Sequence, residues 1–367
     1  HWSPSKLFFE SRESHPVTGG FFFGLNHGTC MRALRFVLLT CIGVVFLGAG
    51  ALVFMLHQHP DYRVDNTDKI LPAPPTHEIK TLFLGTSSMG WTDGKSTWLV
   101  DGFFSRQPIG KVLMSRLDVN ESQVTAVASN MFKMLEMPPV LAGIVVAHSH
   151  YDHSMDAPFL TRQYGGLVVG SESTAQIALG QKLPVEQVKV VPDRAKLAFG
   201  EFQIELLKSA HAPTGFTGGF NTKPLELPAH ALQFKEGISY SFVVSHPAMG
   251  DGPFALIQPS AGFVPGQNDG LTVDVVFLGT GGLGKLSNDY IAQYWQEMVL
   301  DTRAKKVYLI HWDDFTLPLL REGKMQSLKP MPGVLDNFPR SLELLTMFSK
   351  RDGIQLQVVD AWQMVYF

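Results

Sequence analysis

The chain is 367 residues long, which suits one large domain or two domains of ordinary size. Charged residues make up 17% of it and hydrophobic residues 45%, a balance that is typical of globular proteins and excludes a disordered chain. The net charge is only −3 and there is no long basic run, so we expect no nucleic-acid partner. Both cysteines, Cys30 and Cys41, precede the predicted folded domain, so a metal bound by that domain would lack thiolate ligands.

The first part of the chain predicts a membrane anchor. Residues 1–30 show no sustained periodicity and are interpreted as a disordered upstream extension, with Met31 as the natural start. Residues 31–56 contain Arg32 and Arg35 close to their start, and the rest is an apolar run without charge. As a helix with about 1.5 Å per residue, this run reaches roughly 30 Å, the thickness of a bilayer core.

The length of the apolar run favours an uncleaved signal-anchor over a cleaved signal peptide, whose apolar region has about 7–15 residues. Cleavage near Ala49 and Ala51, which would make the protein secreted, and a buried core helix are the alternatives. The basic flank favours a cytoplasmic N-terminus, so we expect a single-pass protein with its main domain on the extracytoplasmic side. Residues 57–78 are polar and proline-rich, as in a linker, and residues 79–367 form the predicted domain.

Strands and helices alternate in the predicted domain. Two strands, at 79–85 and 96–102, are predicted on either side of a turn at Asp93. Apolar residues at helical spacing predict a helix over 122–137, and a continuous apolar run predicts a buried strand over 141–148. Further strands are predicted at 202–209, 239–246, 253–260, 273–279 and 305–311, and further helices at 172–180, 287–301 and 339–350. This mixture of αβ units and hairpins predicts sheet layers with helices outside them.

Potential metal ligands lie at the end of the strand predicted over 141–148. The stretch H-S-H-Y-D-H contains His148, His150, Asp152 and His153 at the edge where α/β proteins place their chemistry. Neutral imidazoles and carboxylates suit Zn²⁺ or a similar divalent ion. A polar loop that is merely rich in histidine is the alternative, and it is disfavoured by so many ligand types within so short a stretch.

The form H-x-H-x-D-H gives the chain a family resemblance. The chain resembles the metallo-β-lactamase fold superfamily of metal-dependent hydrolases, and its later stretches are most similar to the branch with ascorbate-phosphate lactonase and N-acyl-phosphatidylethanolamine phospholipase D. The resemblance covers about residues 79–367 and implies an α/β fold, a four-layer αββα sandwich with metals at one edge. The motif is specific for the fold and does not name a substrate.

The resemblance implies two metal positions, each with three ligands. The first would be held by His148, His150 and His211, the last of these in the stretch L-L-K-S-A-H. The second would be faced by Asp152, His153 and His311, the last of these in the form H-W-x-x-F. A hydrogen-bonded core histidine is the alternative for His211 or His311 taken alone.

Two further positions bear on the metals. Asp101 matches an aspartate that the family keeps near its site, and we interpret it as orienting a ligand through a hydrogen bond, with an ordinary turn aspartate as the alternative. The family has an aspartate that bridges the two metals, in the stretch G-D-T-G. The matching stretch here, A-L-I-Q-P-S-A-G-F, has Ser260 at that position, and Asp251 and Asp274 are the alternatives for the bridging carboxylate. Because a neutral serine leaves the repulsion between two dications less compensated, we expect one firm Zn²⁺ site and a weak or empty second site. Manganese or iron would suit the same ligands.

A glycine-rich stretch at Gly279–Gly284, G-T-G-G-L-G, raises the alternative of a nucleotide-binding oxidoreductase. That fingerprint also needs an acidic residue about 20 positions on, at the end of the next strand, to hold a ribose. The candidate, Asp301, ends a predicted helix instead. A turn that needs close backbone approach explains these glycines better.

The expected activity is hydrolysis of an ester, lactone, amide or phosphodiester bond in a small-molecule or lipid-like substrate. A metal-bound hydroxide would attack the bond, and Asp152 would act as a catalytic residue by orienting that nucleophile or passing on its proton. A metal-binding member of the fold without catalysis is the alternative. The sequence does not indicate an oligomeric state.

Residues 212–237 are predicted to form a loop over the site, because they are rich in glycine and proline and directly follow His211. Apolar and polar side chains of this loop are candidates for contacts with a substrate, with surface or core positions as the alternative. They are Phe216, Phe220, Phe234, Lys223 and His230.

Overall fold

The computed structural model describes residues 27–62, 79–213 and 218–367, so most of the predicted extension and linker lies outside the described residues. The chain divides into two units after Val53. The first contains most of helix α1, His27–Met55, which begins before Met31. Its stretch Arg35–Met55 is long and apolar enough to cross a membrane, by length and composition alone.

The second unit is built on two large sheets. Its strands, in chain order, are β1 (Lys80–Phe83), β2 (Met89–Thr92), β3 (Thr97–Val100), β4 (Arg116–Leu117), β5 (Gly143–Val145), β6 (Val168–Gly170), β7 (Val188–Val190), β8 (Ala195–Phe199), β9 (Phe202–Ser209), β10 (Ala229–His230), β11 (Ser239–Ser245), β12 (Pro253–Gln258), β13 (Val275–Gly279), β14 (Lys306–Ile310), β15 (Leu320–Arg321), β16 (Lys324–Met325), β17 (Gln355–Val358) and β18 (Met364–Tyr366). The first sheet has the order β18-β1-β2-β3-β5-β6-β7, and the second has the order β17-β14-β13-β12-β11-β9-β8. The strands β4 and β10, and likewise β15 and β16, form small two-stranded sheets.

Helices cover the outer faces of both sheets. They are α2 (Ile109–Met114), α3 (Glu121–Leu135), α4 (Tyr151–Ser154), α5 (Ala157–Tyr164), α6 (Glu172–Gly180), α7 (Asn288–Trp295) and α8 (Phe338–Asp352). Met131 of α3 and Leu160 of α5 belong to a buried cluster with Leu82 of the first sheet. Tyr294 of α7 and Leu345 of α8 are buried with apolar side chains of the second sheet. The apolar stripes of these helices therefore form the outer layers of the fold.

Aromatic side chains fill the space between the two sheets. Trp91 and Trp98 of the first sheet stack with ring centroids 5.5 Å apart, and both contact Phe202 of the second sheet edge-on. In β9, alternate side chains such as Phe202 and Ile204 point into this layer, as the two-residue period of a strand requires. The resulting mixed α/β arrangement, αββα, fits the metallo-β-lactamase fold expected from the sequence.

Some strands depart from the sequence-based prediction. The turn at Asp93 joins β3 to β2, a strand that the sequence did not indicate. All four residues of β2 are buried, so it lacks the alternation that marks a strand with one exposed face. The helix predicted over 287–301 is α7 followed by one π-helical turn, Gln296–Leu300.

One edge of the sandwich collects the candidate ligands. In the first sheet β5 runs parallel to β3, and in the second sheet β13 runs parallel to both β12 and β14. The carboxyl ends of these five strands lie at this edge. His148 follows β5, His311 follows β14, and Ser260 follows β12. The two sheets thus bring residues from distant parts of the chain to one place.

Candidate metal centre

Three histidines form the first ligand group. His148 and His150 come from the loop after β5, His211 comes from the loop after β9, and their ligand atoms lie within 4.8 Å of one another. The ring centroid of His148 is 4.6 Å from that of His150 and 4.6 Å from that of His211. These are the three residues that the family resemblance implied for a first metal.

The electrostatics of the first group favour neutral imidazoles. Burial lowers the pKa of His148 well below its ordinary value, and the neighbouring histidines lower it further. Burial and His150 lower the pKa of His211 to about 3. Among the residues that the structure describes, neither ring nitrogen of His148 has a hydrogen-bond partner. Because buried polar atoms are almost always satisfied, this unpaired imidazole fits a bound cation.

The second ligand group lies beside the first. Asp152 and His153 are on α4, and the Nε2 atoms of His153 and His311 are 3.2 Å apart. The Oδ2 atom of Asp152 lies 3.4 Å from His153 Nε2 and 3.5 Å from His311 Nε2. Burial would raise the pKa of Asp152, but the two histidines outweigh it and hold that pKa below its ordinary value. The group therefore presents an ionised carboxylate and two imidazole nitrogens to one point.

Asp101 lies directly behind the second group. Its Oδ2 atom is 2.8 Å from His153 Nδ1, and its Oδ1 atom accepts a hydrogen bond from Ala147 N at 2.7 Å. The Ser87 hydroxyl also donates to Oδ2. A carboxylate oxygen that accepts at Nδ1 keeps the proton there, which leaves the lone pair of His153 Nε2 facing the other ligands. The carboxylate also holds the backbone next to His148.

Left-handed backbone positions occur at the same edge. Thr86, Asp101 and His311 have φ angles of 54°, 56° and 52°, which residues other than glycine rarely adopt. The His311 N–H donates to Thr86 O at 2.6 Å, and Thr86 N–H donates to Asp313 Oδ1 at 2.7 Å. Arg106 pairs with Asp313 in a fully buried salt bridge of 2.8 Å. This network fixes the backbone of His311.

The sequence did not single out Thr86, Arg106 or Asp313. The only signal was local: Asp313 follows His311 by two residues in the stretch H-W-D-D. Arg106 reaches it from a distant part of the chain, so the pairing follows from the tertiary fold alone.

The glycine-rich stretch supports this edge by close packing. A Cβ atom on Gly281 would lie 2.8 Å from His311 Nδ1, and one on Gly279 would collide with the Pro259 carbonyl. One on Gly284 would collide with the backbone of Asn337. Close approach of backbone and of the His311 ring at this edge of the domain therefore explains the glycines, as expected for a tight turn.

A pocket of about 420 Å³, here called the metal pocket, opens onto both ligand groups. Four ligands line it: His150, Asp152, His211 and His311. Helix α2 contributes an apolar part of the lining, and Trp312 and Phe315 contribute aromatic rings. A concave, largely apolar site with a few polar groups is typical of a binding site for a small molecule.

The loop predicted to cover the site contributes other residues than expected. Ala231 and Leu232 line the metal pocket, whereas Phe234 is fully buried in a separate cluster with Phe103. Of the other candidates, Phe220, Lys223 and His230 are exposed, and Phe216 lies outside the described residues.

Ser260 lies in the lining of the metal pocket, where its hydroxyl accepts a hydrogen bond from Ala212 N at 3.0 Å. Asp251 and Asp274, the substitutes considered for a bridging carboxylate, both line a different and larger cavity of about 740 Å³. That cavity lies over side chains of β9 that point away from the layer between the sheets, such as Gln203. It is lined by none of the six candidate ligands, so the smaller pocket is the candidate site.

A third group, Asp93, Glu201 and His246, also brings potential ligand atoms within 4.8 Å of one another. The polar atoms of this group already have hydrogen-bond or ion-pair partners. His246 Nδ1 accepts from Ala248 N at 3.2 Å, so the proton is on Nε2, which lies 3.3 Å from Asp93 Oδ2. Glu201 pairs with Lys95 at 3.2 Å. A cation would need the lone pair that this proton occupies, so the group is a polar link between strand ends.

No protein-family model matches the chain, and no curated protein is recognisably similar to it. Solved structures with similar folds include Igni18, a metallo hydrolase from the archaeon Ignicoccus hospitalis, with 13% identity, a TM-score of 0.46, and coverage of 79% of this chain and 98% of that chain. The metallo-β-lactamase fold protein YhfI from Bacillus subtilis has 14% identity, a TM-score of 0.44, and coverage of 78% and 99%. CmlA, a diiron β-hydroxylase from Streptomyces venezuelae, has 15% identity, a TM-score of 0.47, and coverage of 80% and 55%. At these values the similarities assign this chain no activity, substrate or metal.

Proposed function

We propose that this protein is a metal-dependent hydrolase. The observation that carries the proposal is the unpaired, buried imidazole of His148, within a three-histidine group that borders a second group of three ligands in one pocket. A divalent metal in such a site lowers the pKa of water and polarises the bond that is attacked. The pocket beside the ligands gives a small molecule access to them.

In this proposal His148, His150 and His211 hold the first metal, and Asp152, His153 and His311 face the second. Asp101 keeps the Nδ1 proton on His153 and so aims its other nitrogen at the metal. The donor set favours zinc, and manganese or iron would accept the same nitrogen and oxygen ligands. Because Ser260 places a neutral hydroxyl where a bridging carboxylate is expected, the second site binds more weakly than the first.

Asp152 is the proposed proton-handling residue. It lines the metal pocket, and its lowered pKa keeps it ionised at neutral pH. In the hydrolysis, the oxygen of a water molecule forms a bond to the carbonyl carbon or the phosphorus, and the bond to the leaving group breaks. Asp152 orients that water, takes up one of its protons and passes it to the leaving group. The substrate bond is an ester, lactone, amide or phosphodiester.

We further propose that the stretch Arg35–Met55 of α1 anchors the protein in a membrane. Arg32 and Arg35 precede the apolar run, which supports a cytoplasmic N-terminus and a hydrolase domain on the opposite side.

Metal content and turnover of the full chain test the hydrolase proposal. His148→Ala and His211→Ala each remove one ligand of the first group, so both should lose most of the bound metal and at least a hundredfold in turnover on the best compound of an ester, lactone, amide and phosphodiester panel. His230→Ala, an exposed histidine outside the two groups, serves as the matched control. Full metal content in both ligand variants would contradict the first site. Bound metal without turnover on the whole panel would favour a non-catalytic metal protein.

A further inference from the structure

The loop that follows β12 packs directly on the loop that carries His211. The Ser260 hydroxyl accepts a hydrogen bond from Ala212 N at 3.0 Å. A Cβ atom on Gly262 would collide with the backbone of His211, so the two loops touch through their main chains and only glycine fits between them. Residues 259–262 are here called the supporting loop, because they contact the backbone on which this candidate ligand lies.

This contact affects which nitrogen of His211 is available to a cation. His211 Nδ1 lies 2.7 Å from the carbonyl oxygen of Ala212. A carbonyl can only accept, so the proton of the neutral ring lies on Nδ1 and the lone pair is on Nε2. The arrangement depends on the position of Ala212, whose N–H donates to Ser260. Asp101 supports His153 in a comparable way from the other sheet.

Gln258, the last residue of β12, fixes the shape of the supporting loop. Its Nε2 atom donates to the carbonyl oxygens of Ser260 and Gly262, both at 2.7 Å. These two acceptors use both N–H groups of the amide, and its Oε1 atom accepts from the Ser241 hydroxyl. Gln258 is only 1% exposed, so water does not readily replace it as the partner of these carbonyls.

The outer helix α7 contacts the same loop. The Tyr294 hydroxyl lies 3.2 Å from Ser260 O and 2.9 Å from Gly279 O, so it ties the supporting loop to the end of β13. Tyr294 thus adds a second donor at Ser260, whereas the Gln258 amide joins Ser260 to Gly262. Gln258 therefore determines the path of the loop between these two residues.

From these contacts we infer that Gln258 is a positioning residue for the first ligand group. Its amide holds the supporting loop, the loop holds Ala212, and Ala212 directs the Nε2 lone pair of His211 toward His148 and His150. The loop in which the family resemblance implied a bridging carboxylate therefore supports a histidine of the first group. The inference rests on the proposed function for the metal, but not for the hydrogen bonds.

The tautomer of His211 in metal-free protein tests the positioning role without any metal. Gln258→Met removes both N–H donors and keeps a side chain of similar length. Nitrogen-15 NMR of the imidazoles is recorded on the stripped full chain, and His211→Ala identifies the signal of His211. We expect the proton on Nδ1 in the wild type and a mixture of both tautomers in Gln258→Met, because Ala212 O no longer stays in place.

The affinity for Zn²⁺ tests the consequence for the first ligand group. In a His311→Ala background only the first group keeps its three ligands, and there Gln258→Met should weaken Zn²⁺ binding ~10-fold or more, as loss of a ligand's support typically does. Gln267→Met is the matched control, because Gln267 is a buried glutamine of the same polar network and should leave the affinity unchanged. Its side chain makes hydrogen bonds outside the supporting loop, with Ser209, Ser241 and Val264.

The two measurements separate this inference from the proposed function. If Gln258→Met fails to fold, Ser260→Ala decides, because it removes only the acceptor of Ala212 N and should also give a mixture of tautomers. An unchanged tautomer and Zn²⁺ affinity in the folded variant, or equal losses in Gln267→Met, would overturn the positioning role. A changed tautomer in a protein that binds no Zn²⁺ would contradict the proposed metal site and support the positioning of His211.

Discussion

His153 and His311 face each other through their Nε2 atoms at 3.2 Å, and the two residues follow strands of different sheets. The Nδ1 atom of His153 is fixed by Asp101, whereas Nδ1 of His311 has no hydrogen-bond partner among the described residues. The acceptor on Nδ1 therefore sets the tautomer of His153, with the lone pair of its Nε2 atom facing His311. A hydrogen bond between the two Nε2 atoms would need the proton on His311 Nε2, and a cation at this point would displace that proton.

We expect Asp101→Asn to weaken the second metal site more than the first. The amide has no charge to hold the Nδ1 proton of His153, and loss of such support typically costs ~10–100-fold in metal affinity. The measurement is a metal titration of the stripped protein. Asp93→Asn is the control, because Asp93 contacts His246 in the third group, outside the metal pocket. Equal losses of metal affinity in both variants would show that Asp101 does not specifically support the second metal site.

Metal counting on dialysed protein should give one firmly bound ion per chain. Ser260 contributes a hydroxyl that already accepts a hydrogen bond from Ala212 N, and it adds no charge between the two groups. Ser260→Asp should raise the occupancy toward two, because a carboxylate screens the repulsion between two dications. A count of two firm ions in the wild type would refute this.

The stability of the metal-free protein should fall as the pH drops below 6.5, the ordinary histidine pKa. Burial and neighbouring imidazoles lower the native pKa of His148 and His211, the latter to about 3. Between these values the unfolded chain binds protons that the native state does not, so the free energy of unfolding decreases with falling pH. His153 acts in the opposite sense above pH 6.5, because Asp101 and Asp152 overcome burial and raise its pKa.

Thermal unfolding of stripped protein between pH 7 and pH 4 measures this slope. His211→Ala removes one of the two groups, so its Tm should depend less on pH than that of the wild type. A steeper dependence in that variant would contradict the assignment.

A C-terminal reporter that is active only in the cytoplasm should give no signal when fused to the full chain. The apolar stretch Arg35–Met55 and the basic residues before it predict a far-side location for the domain. Replacing Arg32 and Arg35 by glutamate should weaken this orientation. A bright wild-type signal would reverse the proposed topology.

The sequence was most informative where chemistry is local. Four of the six candidate ligands lie within H-S-H-Y-D-H, and the remaining two, His211 and His311, stand at the ends of strands that the hydrophobic pattern predicts. The structure brings all six to one edge, in the two groups that the resemblance implied.

The sequence was least informative where contacts are remote. Strand β2 is buried on both faces and shows no alternation, and β18 pairs with β1 across almost the whole domain. The salt bridge between Arg106 and Asp313 depends on tertiary contacts that no local pattern encodes. Leu232 was missed because an exposed leucine carries no signal until its neighbours are known.

The six candidate ligands are divided between the two sheets. Four of them follow β5, whereas His211 and His311 follow strands of the second sheet. During biosynthesis a chain with only its first half folded would lack one of the three ligands in each group. Metal binding would then follow the assembly of the two sheets and would not direct their folding. If the proposed hydrolase function holds, the metal-free protein would be folded but inactive until an ion binds.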